Sequence, residues 1–122
     1  MKNSIIKEKS FSLSLRVVKL YQYLTENKRE HIMSKQLLRA GTSVGANIRE
    51  ATRAESDKDF MHKLAVAQKE ADETGYWLEL LKASGYLNEH EFNSIYPEVE
   101  EVIKILAKII ITKKQKHNNP II

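Results

Sequence analysis

Apolar residues recur along most of this chain at steps of three and four, the spacing that places them on one side of an α-helix. Four segments show the pattern, and short polar connections separate them. The predicted core positions of the four segments are, in turn, Leu13, Val17, Leu20 and Leu24; Leu37, Gly41, Val44, Ile48 and Ala51; Phe60, Leu64, Ala67, Ala71, Thr74, Leu78 and Leu81; and Phe92, Ile95, Val99, Val102, Leu106 and Ile109. Four helices with short connections predict an all-α fold, a single up-down-up-down four-helix bundle.

Short polar residues indicate where three of these helices begin. Ser10 is a suitable N-cap for the first helix. Ser56 is followed three residues later by Asp59, which resembles the spacing of a capping box before the third helix. Asn88 is followed three residues later by Glu91, and this second capping signature predicts the start of the fourth helix.

Two further residues set expectations for helix ends and domain limits. Gly85 follows the third segment and is a natural stop, because glycine adopts the left-handed conformation that closes many helices. Pro97 lies inside the fourth segment and predicts either a kink or a division of that helix. We therefore predict a flexible N-terminal arm over residues 1–9, the bundle over residues 10–114 and a flexible tail over residues 115–122.

Two glycines lie in the second segment, four residues apart, at Gly41 and Gly45. Glycine costs roughly 1 kcal/mol relative to alanine inside a helix. Two of them in one helix therefore indicate that another backbone approaches closely at this point. Ala67 and Ala71, in the middle of the third helix, are small enough to be the residues that we expect to pack there.

A stripe of polar residues runs beside the apolar face of the second helix. It consists of Gln36, Arg39, Ser43, Asn47 and Glu50. The structural interpretation is a hydrogen-bonded stripe that fixes the register of the helix against its neighbours or against other subunits. The functional alternative is a contact with a ligand or a nucleic acid. We favour the structural interpretation, because the stripe borders the small packing residues.

The third and fourth segments carry more apolar residues than one bundle face requires. The surplus includes Trp77 and Leu80, together with Ile103 and Ile110. Such residues either thicken the core or form an interface between subunits. We favour the interface and take these four residues as its candidates.

Positive charge is concentrated in the first half of the chain. The net charge of the 122 residues is +4, but residues 1–55 hold 11 Lys and Arg against 5 Asp and Glu, which allows an anionic partner on one face. The candidate phosphate contacts are Lys35, Arg49 and Arg53 on an outward strip of the second helix, with Arg16 and Lys19 from the first. No aromatic residue interleaves the strip, which argues against base stacking.

The chain contains no motif of a known catalytic site and no cysteine. Helix bundles that bind metal use paired Glu-x-x-His motifs, whereas the nearest match here is a single Asp59-x-x-His62. We therefore expect no enzymatic activity, no cofactor and no metal. No stretch is apolar enough for a signal peptide or a membrane span, so we expect a cytoplasmic protein that does not enter membranes.

The run QLLRAGTSVGANIREA, residues 36–51, resembles the signature of the bacterial four-helix-bundle proteins, also called 23S ribosomal RNA intervening-sequence proteins. The residues that match the pattern Arg-Ala, Ser-Ile/Val and Asn-Ile-x-Glu are Arg39, Ala40, Ser43, Val44, Asn47, Ile48 and Glu50. Ala51 stands where many members have glycine. Downstream, the residues that fit are Ser56, Asp59, Phe60, Leu64, Ala67, Glu70 and Ala71, and the fit continues through Gly85 and Tyr86.

The resemblance implies an up-down bundle that assembles as a ring-shaped homopentamer, and it brings no catalytic residues. The genes of some members lie within intervening sequences of ribosomal RNA genes. A related group, the accessory variability determinants of diversity-generating retroelements, shares the pentameric bundle and uses a basic surface to engage nucleic acid and a reverse transcriptase. We therefore expect a pentameric adaptor that binds RNA or DNA without base specificity; the alternative is a protein-interaction scaffold with no nucleic-acid role.

Overall fold

The computed structural model describes residues 4–118, and within that range the chain forms four long helices and no strand. The helices are α1 (Ser4–Glu26), α2 (Met33–Ala51), α3 (Asp57–Ala83) and α4 (Glu89–Asn118). The prediction of an all-α protein with four helices is confirmed.

Ion pairs between neighbouring helices show how the chain runs. Arg39 on α2 pairs with Glu73 on α3, while Glu50 further along α2 pairs with Lys63, which comes earlier on α3. The two helices are therefore antiparallel. Each helix packs against the next one along the chain, and α1 packs against α4 to close the bundle. This is the predicted up-down-up-down arrangement.

The core consists of the apolar positions that the three-and-four pattern predicts. Most of them are fully buried, and the exceptions, Leu20, Phe60, Phe92 and Ile109, are partly buried and pack against the same cluster. Ile110 is 9% exposed and is the core residue at this level of α4, although the spacing favoured Ile109. Truncating a fully buried leucine to alanine in such a core costs about 2–5 kcal/mol.

The first helix begins earlier than predicted. Residues 4–9 are helical, and Ile6 is 1% exposed because it extends the apolar face of α1 by two turns before Leu13. Ser10 is not an N-cap; it is buried inside the helix, and its hydroxyl donates to the Lys7 carbonyl oxygen at 3.1 Å. The predicted flexible arm is therefore wrong for residues 4–9, and its first three residues lie outside the described part of the chain.

The fourth helix ends later than predicted, since it runs to Asn118. The segment from Lys114 to Lys116 is exposed and still helical, as lysine and glutamine are good helix formers. The predicted flexible tail is therefore wrong for residues 115–118, while residues 119–122 lie outside the described residues.

Pro97 lies inside α4 without dividing it, so that alternative is wrong. Proline has no N–H and leaves the carbonyl group four residues earlier, on Asn93, without its helical partner. Both Pro97 and Asn93 are exposed, so water can solvate the freed group. The next carbonyl along, on Ser94, accepts a hydrogen bond from the Arg16 guanidinium at 2.7 Å, which supports the helix from α1 at this point.

The predicted caps at the start of α3 and α4 and the predicted end of α3 at Gly85 are confirmed. The Ser56 hydroxyl accepts from the Asp59 backbone N–H at 3.0 Å. The side chain and backbone of Asn88 exchange hydrogen bonds with those of Glu91, a complete capping box. Gly85 has φ +88°, and its left-handed conformation ends α3.

The two glycines of α2 face α1, not α3. A Cβ placed on Gly41 would lie 2.8 Å from both methyl carbons of Val17. A Cβ on Gly45 would lie 3.1 Å from the Ser14 hydroxyl oxygen. The close approach predicted from the spacing exists, but its partner is α1, and the prediction that Ala67 and Ala71 fill it is wrong.

A carboxylate caps the start of α2, where no capping signature is visible. Glu30 is 6% exposed, and its carboxylate accepts from the backbone N–H groups of Ile32, Met33 and Ser34 at 3.1, 3.0 and 2.7 Å. Burial opposes ionisation of Glu30, but the hydrogen bonds from Met33, Ser34 and Ile32 outweigh it and hold the pKa of Glu30 below its usual value. The ionised side chain also faces the positive end of the helix dipole.

We predict that Gly41→Ala destabilises the protein, although alanine is the better helix former. The new methyl group would meet the stiff, buried Val17, and overpacking of this kind costs about 1–3 kcal/mol. In a Val17→Ala background the two methyl groups are gone and only the Cβ of residue 17, at 3.1 Å, remains near the new methyl group, so most of the destabilisation by Gly41→Ala should disappear. Urea denaturation of the four proteins at one protein concentration measures both effects. Stabilisation in the wild-type background would contradict the close contact.

We predict that Glu30→Gln lowers the free energy of unfolding by about 1–2 kcal/mol at neutral pH, since the amide N–H₂ would face the helix N–H groups. Because the folded pKa of Glu30 is lowered, its contribution is present above the unfolded pKa and is lost as pH falls through the folded pKa. The two proteins should therefore converge in stability once the pH falls below the folded pKa of Glu30. Glu26→Gln, at an exposed position, is the matched control; a difference that persists at low pH would contradict the cap.

Candidate nucleic-acid interface

Three of the predicted phosphate contacts lie exposed on or just beyond α2. Lys35 and Arg49 are 14 residues apart on the outward side of the helix, which separates them by about 21 Å along its axis. Arg53 follows in the turn after the helix, where its N–H donates to the Glu50 carbonyl at 3.1 Å. Within residues 4–118, none of the three forms an ion pair with a carboxylate. We call Lys35, Arg49 and Arg53 the basic strip.

The other two predicted contacts lie on a different side of the bundle. The Arg16 guanidinium donates to the hydroxyl and carbonyl oxygens of Ser94 and forms an ion pair with Glu98, all on α4. Lys19 is exposed and lines a shallow groove between α1 and α4 beside His90. The grouping of Arg16 and Lys19 with the α2 cations is therefore wrong, because Arg16 is already neutralised and both face α4.

The outer surface between α1 and α2 forms a groove of about 360 Å³. Its main lining residues are Lys7, Phe11 and Ser14 of α1 and Thr42, Ala46 and Arg49 of α2. Lys7 and Phe11 are not among the residues predicted from the sequence, because Lys7 falls in the predicted arm and Phe11 lies off the core face. The signal was present, since Lys7, Phe11 and Ser14 are spaced by four and three and share one side of α1.

Arg39 of the polar stripe pairs with α3. Arg39 donates to the Glu73 carboxylate at 2.8 Å and lies 3.8 Å from Glu70. The indole N–H of Trp77 donates to the same Glu73 oxygen at 3.1 Å. Glu70 Oε1 is buried and has no hydrogen-bond partner among the described residues, so the nearby Arg39 charge is what compensates it.

The rest of the stripe also points to a role in packing. Glu50 accepts from Lys63 on α3 at 2.8 Å, and this contact raises the pKa of Lys63. The Asn47 amide donates to the Ser43 carbonyl oxygen at 2.8 Å, and both residues are half-buried. Gln36 is exposed. The Glu50–Lys63 pair connects α2 to α3, as the structural interpretation expects, whereas the Asn47–Ser43 bond lies within α2.

The predicted subunit-interface residues differ in exposure. Trp77, Leu80 and Ile103 are partly exposed, and Tyr76, beside Trp77, is 56% exposed. Ile110 lies in the core, so its assignment to a surface interface is corrected. The large apolar residues that are most exposed in the described chain are Ile5, Phe11, Leu15, Ile32, Tyr76 and Ile111. Three of these six lie on α1, where the sequence pattern indicated no second apolar face.

The described chain shows neither a metal site nor a membrane span. Within residues 4–118, no three His, Asp or Glu side chains are close enough together to hold a metal ion. The same range contains no helix whose length and apolar character would suit a membrane span.

Comparison with known proteins identifies the family. The model of the 23S rRNA-intervening sequence protein family matches residues 2–108. The chain belongs to this family. The 23S rRNA-intervening sequence match includes all of α2 and α3, and so contains both the basic strip and the polar stripe. The predicted resemblance is therefore confirmed.

A solved structure agrees with this assignment. It is a protein of unknown function from the S23 ribosomal protein family of Bacteroides thetaiotaomicron, 48% identical to this chain, with a TM-score of 0.85. The match covers 86% of this chain and 97% of that one. No curated protein matches the chain.

We predict that Arg39→Met lowers the free energy of unfolding by about 1 kcal/mol, because it leaves the Glu70 and Glu73 carboxylates without their cation. Glu70→Gln in the same background should recover part of the loss by removing a poorly solvated charge. Lys104→Met, at an exposed position on α4, serves as the control. Urea denaturation gives the four values. Unchanged stability for Arg39→Met would contradict a packing role for the stripe.

Proposed function

We propose that this protein is a cytoplasmic, non-enzymatic homopentamer that binds RNA or DNA without base specificity, through the basic strip on α2. The observation that carries the proposal is that Lys35, Arg49 and Arg53 are exposed and have no ion-pair partner among the described residues. Arg39 on the same helix is paired with Glu73. The unpaired cations of this part of the chain are therefore those of the basic strip, on the outward side of α2.

Electrostatics explains why such a strip suits a phosphate backbone. Phosphate contacts need clustered cations but no particular base, and each contact releases condensed counterions. Three cations in one subunit bind weakly at physiological salt. Five copies in a ring would multiply that affinity through a high effective concentration, without any new kind of contact.

The pentamer in this proposal comes from the family resemblance. Support for self-association is the apolar surface that one subunit leaves open on α3. Tyr76 is 56% exposed there, and Trp77 and Leu80 are partly exposed. Exposed apolar groups near one another favour an interface over free solvent.

A protein-interaction scaffold is the second candidate, and the exposed apolar side of α1 favours it. Ile5, Phe11 and Leu15 are 56%, 58% and 50% exposed. In this alternative the ring presents α1 to a protein partner and has no nucleic-acid role. Binding to a protein would then depend little on salt, whereas phosphate binding weakens steeply with it.

We predict that the triple variant K35E, R49E, R53E binds nucleic acid at least tenfold more weakly than wild type and with a reduced salt dependence, because three phosphate contacts are lost. The matched control is K104E, K108E, K114E, which makes the same change in net charge at exposed positions of α4, a helix that does not pack against α2. Filter binding of labelled RNA and DNA at about 50 and 200 mM salt gives the affinities.

The same experiment distinguishes nucleic-acid binding from the protein-scaffold alternative. Mass in solution and helix content are measured first, so that a loss of folding or assembly is not mistaken for a loss of contact. If the control triple loses binding and the strip triple keeps it, the basic strip is the wrong surface. A well-folded wild-type protein that binds neither RNA nor DNA would overturn the proposal in favour of the protein scaffold.

A further inference from the structure

Phe11 is an exposed aromatic residue in a groove that two cations also line. Its side chain is 58% exposed on the outward side of α1. It lines the α1–α2 groove together with Lys7 of α1 and Arg49 of α2, so each wall of the groove contributes one cation. Arg49 is also part of the basic strip, and the groove therefore continues that strip onto α1.

Gly45 of α2 lies at the floor of the groove, where α1 and α2 meet. Gly45 has no side chain, and a Cβ at that position would come within 3.1 Å of the Ser14 hydroxyl and 3.5 Å of the Ser10 carbonyl oxygen. The two helices therefore pack closely at Gly45, while the Phe11 side chain remains exposed. The resulting volume, about 360 Å³, is at the lower end of the range for pockets that hold small organic groups.

The charges around the groove favour an anionic occupant. Lys7 and Arg49 are both exposed and have no carboxylate partner among the described residues. Glu50 also lines the groove, but its carboxylate is paired with Lys63 at 2.8 Å. The groove thus offers an aromatic face and two uncompensated positive charges, whereas an uncharged apolar partner would bury both cations without compensation.

We propose that the α1–α2 groove binds a single-stranded segment of nucleic acid, with a base stacked on Phe11 and the adjoining phosphates on Lys7 and Arg49. This rests on the proposed nucleic-acid function and gives it a strand preference. Aromatic side chains beside a basic groove are how proteins hold single strands without reading sequence, because every base has a π-face. Bases inside a duplex are stacked on each other and do not reach Phe11, so a duplex contacts the cations alone.

Phe11→Leu tests the proposal, since it keeps an apolar side chain of similar size and removes the aromatic face. We expect it to weaken binding of a single strand of about 16 nucleotides by about tenfold and to leave binding of a duplex of the same length unchanged. Phe11→Tyr should retain wild-type affinity for both. Filter binding of both probes by the full-length protein measures these affinities, with the mass in solution confirmed for each variant.

Leu15→Ala is the matched control. Leu15 is 50% exposed on the same helix but does not line the groove. The Leu15→Ala variant should bind both the single strand and the duplex with wild-type affinity. If Phe11→Leu weakened duplex and single strand equally, the ring would be supporting the fold or the assembly, and the stacking proposal would be overturned.

Failure of this proposal differs from failure of the proposed function. Suppose that wild type binds nucleic acid with the expected salt dependence, and that Phe11→Leu binds the single strand with unchanged affinity. Phosphate binding by the basic strip would then be supported, and only the proposal that a base stacks on Phe11 in the groove would be overturned. A wild-type protein that binds neither probe would overturn both.

Discussion

The contact between α1 and α2 at Gly41 and Gly45 is the constraint on which the rest of the structure depends. The methyl groups of Val17 occupy the space that any side chain at residue 41 would need. This contact sets the register of α1 on α2, and it therefore decides which outward side chains of the two helices become neighbours. Lys7 and Arg49 share one groove only in that register. The packing that holds the bundle together and the surface available to a partner have the same origin.

Most of the fold could be predicted from the sequence because burial imposes a helical period that the apolar residues display directly. The period does not indicate which helix lies opposite a given face. The sequence therefore predicts α3 as the partner of Gly41, whereas the structure shows α1. It also permits a step of three or four after Leu106, and the chain uses Ile110 in the core where the spacing favoured Ile109. Glu30 caps α2 from a position three residues before the helix, outside the usual capping signature.

Less of the candidate site could be predicted. Spacing along α2 is enough to identify Lys35 and Arg49 as outward residues, since the core face of a single helix leaves the opposite side to solvent. Whether a cation is neutralised depends on contacts distant in sequence: Arg16 is paired with Glu98, 82 residues away. Phe11 has no role in the core pattern, and the groove that it shares with two cations becomes evident only once α1 and α2 are placed together.

Trp77 is the single tryptophan of the chain, and its surroundings give it a further use. Its indole N–H shares the Glu73 carboxylate with Arg39, so the indole lies at the seam between α2 and α3. Its intrinsic emission is therefore a local reporter of that seam, whereas circular dichroism averages over all four helices. Comparing the two signals during unfolding would distinguish separation of α2 from α3 from simultaneous loss of the whole bundle.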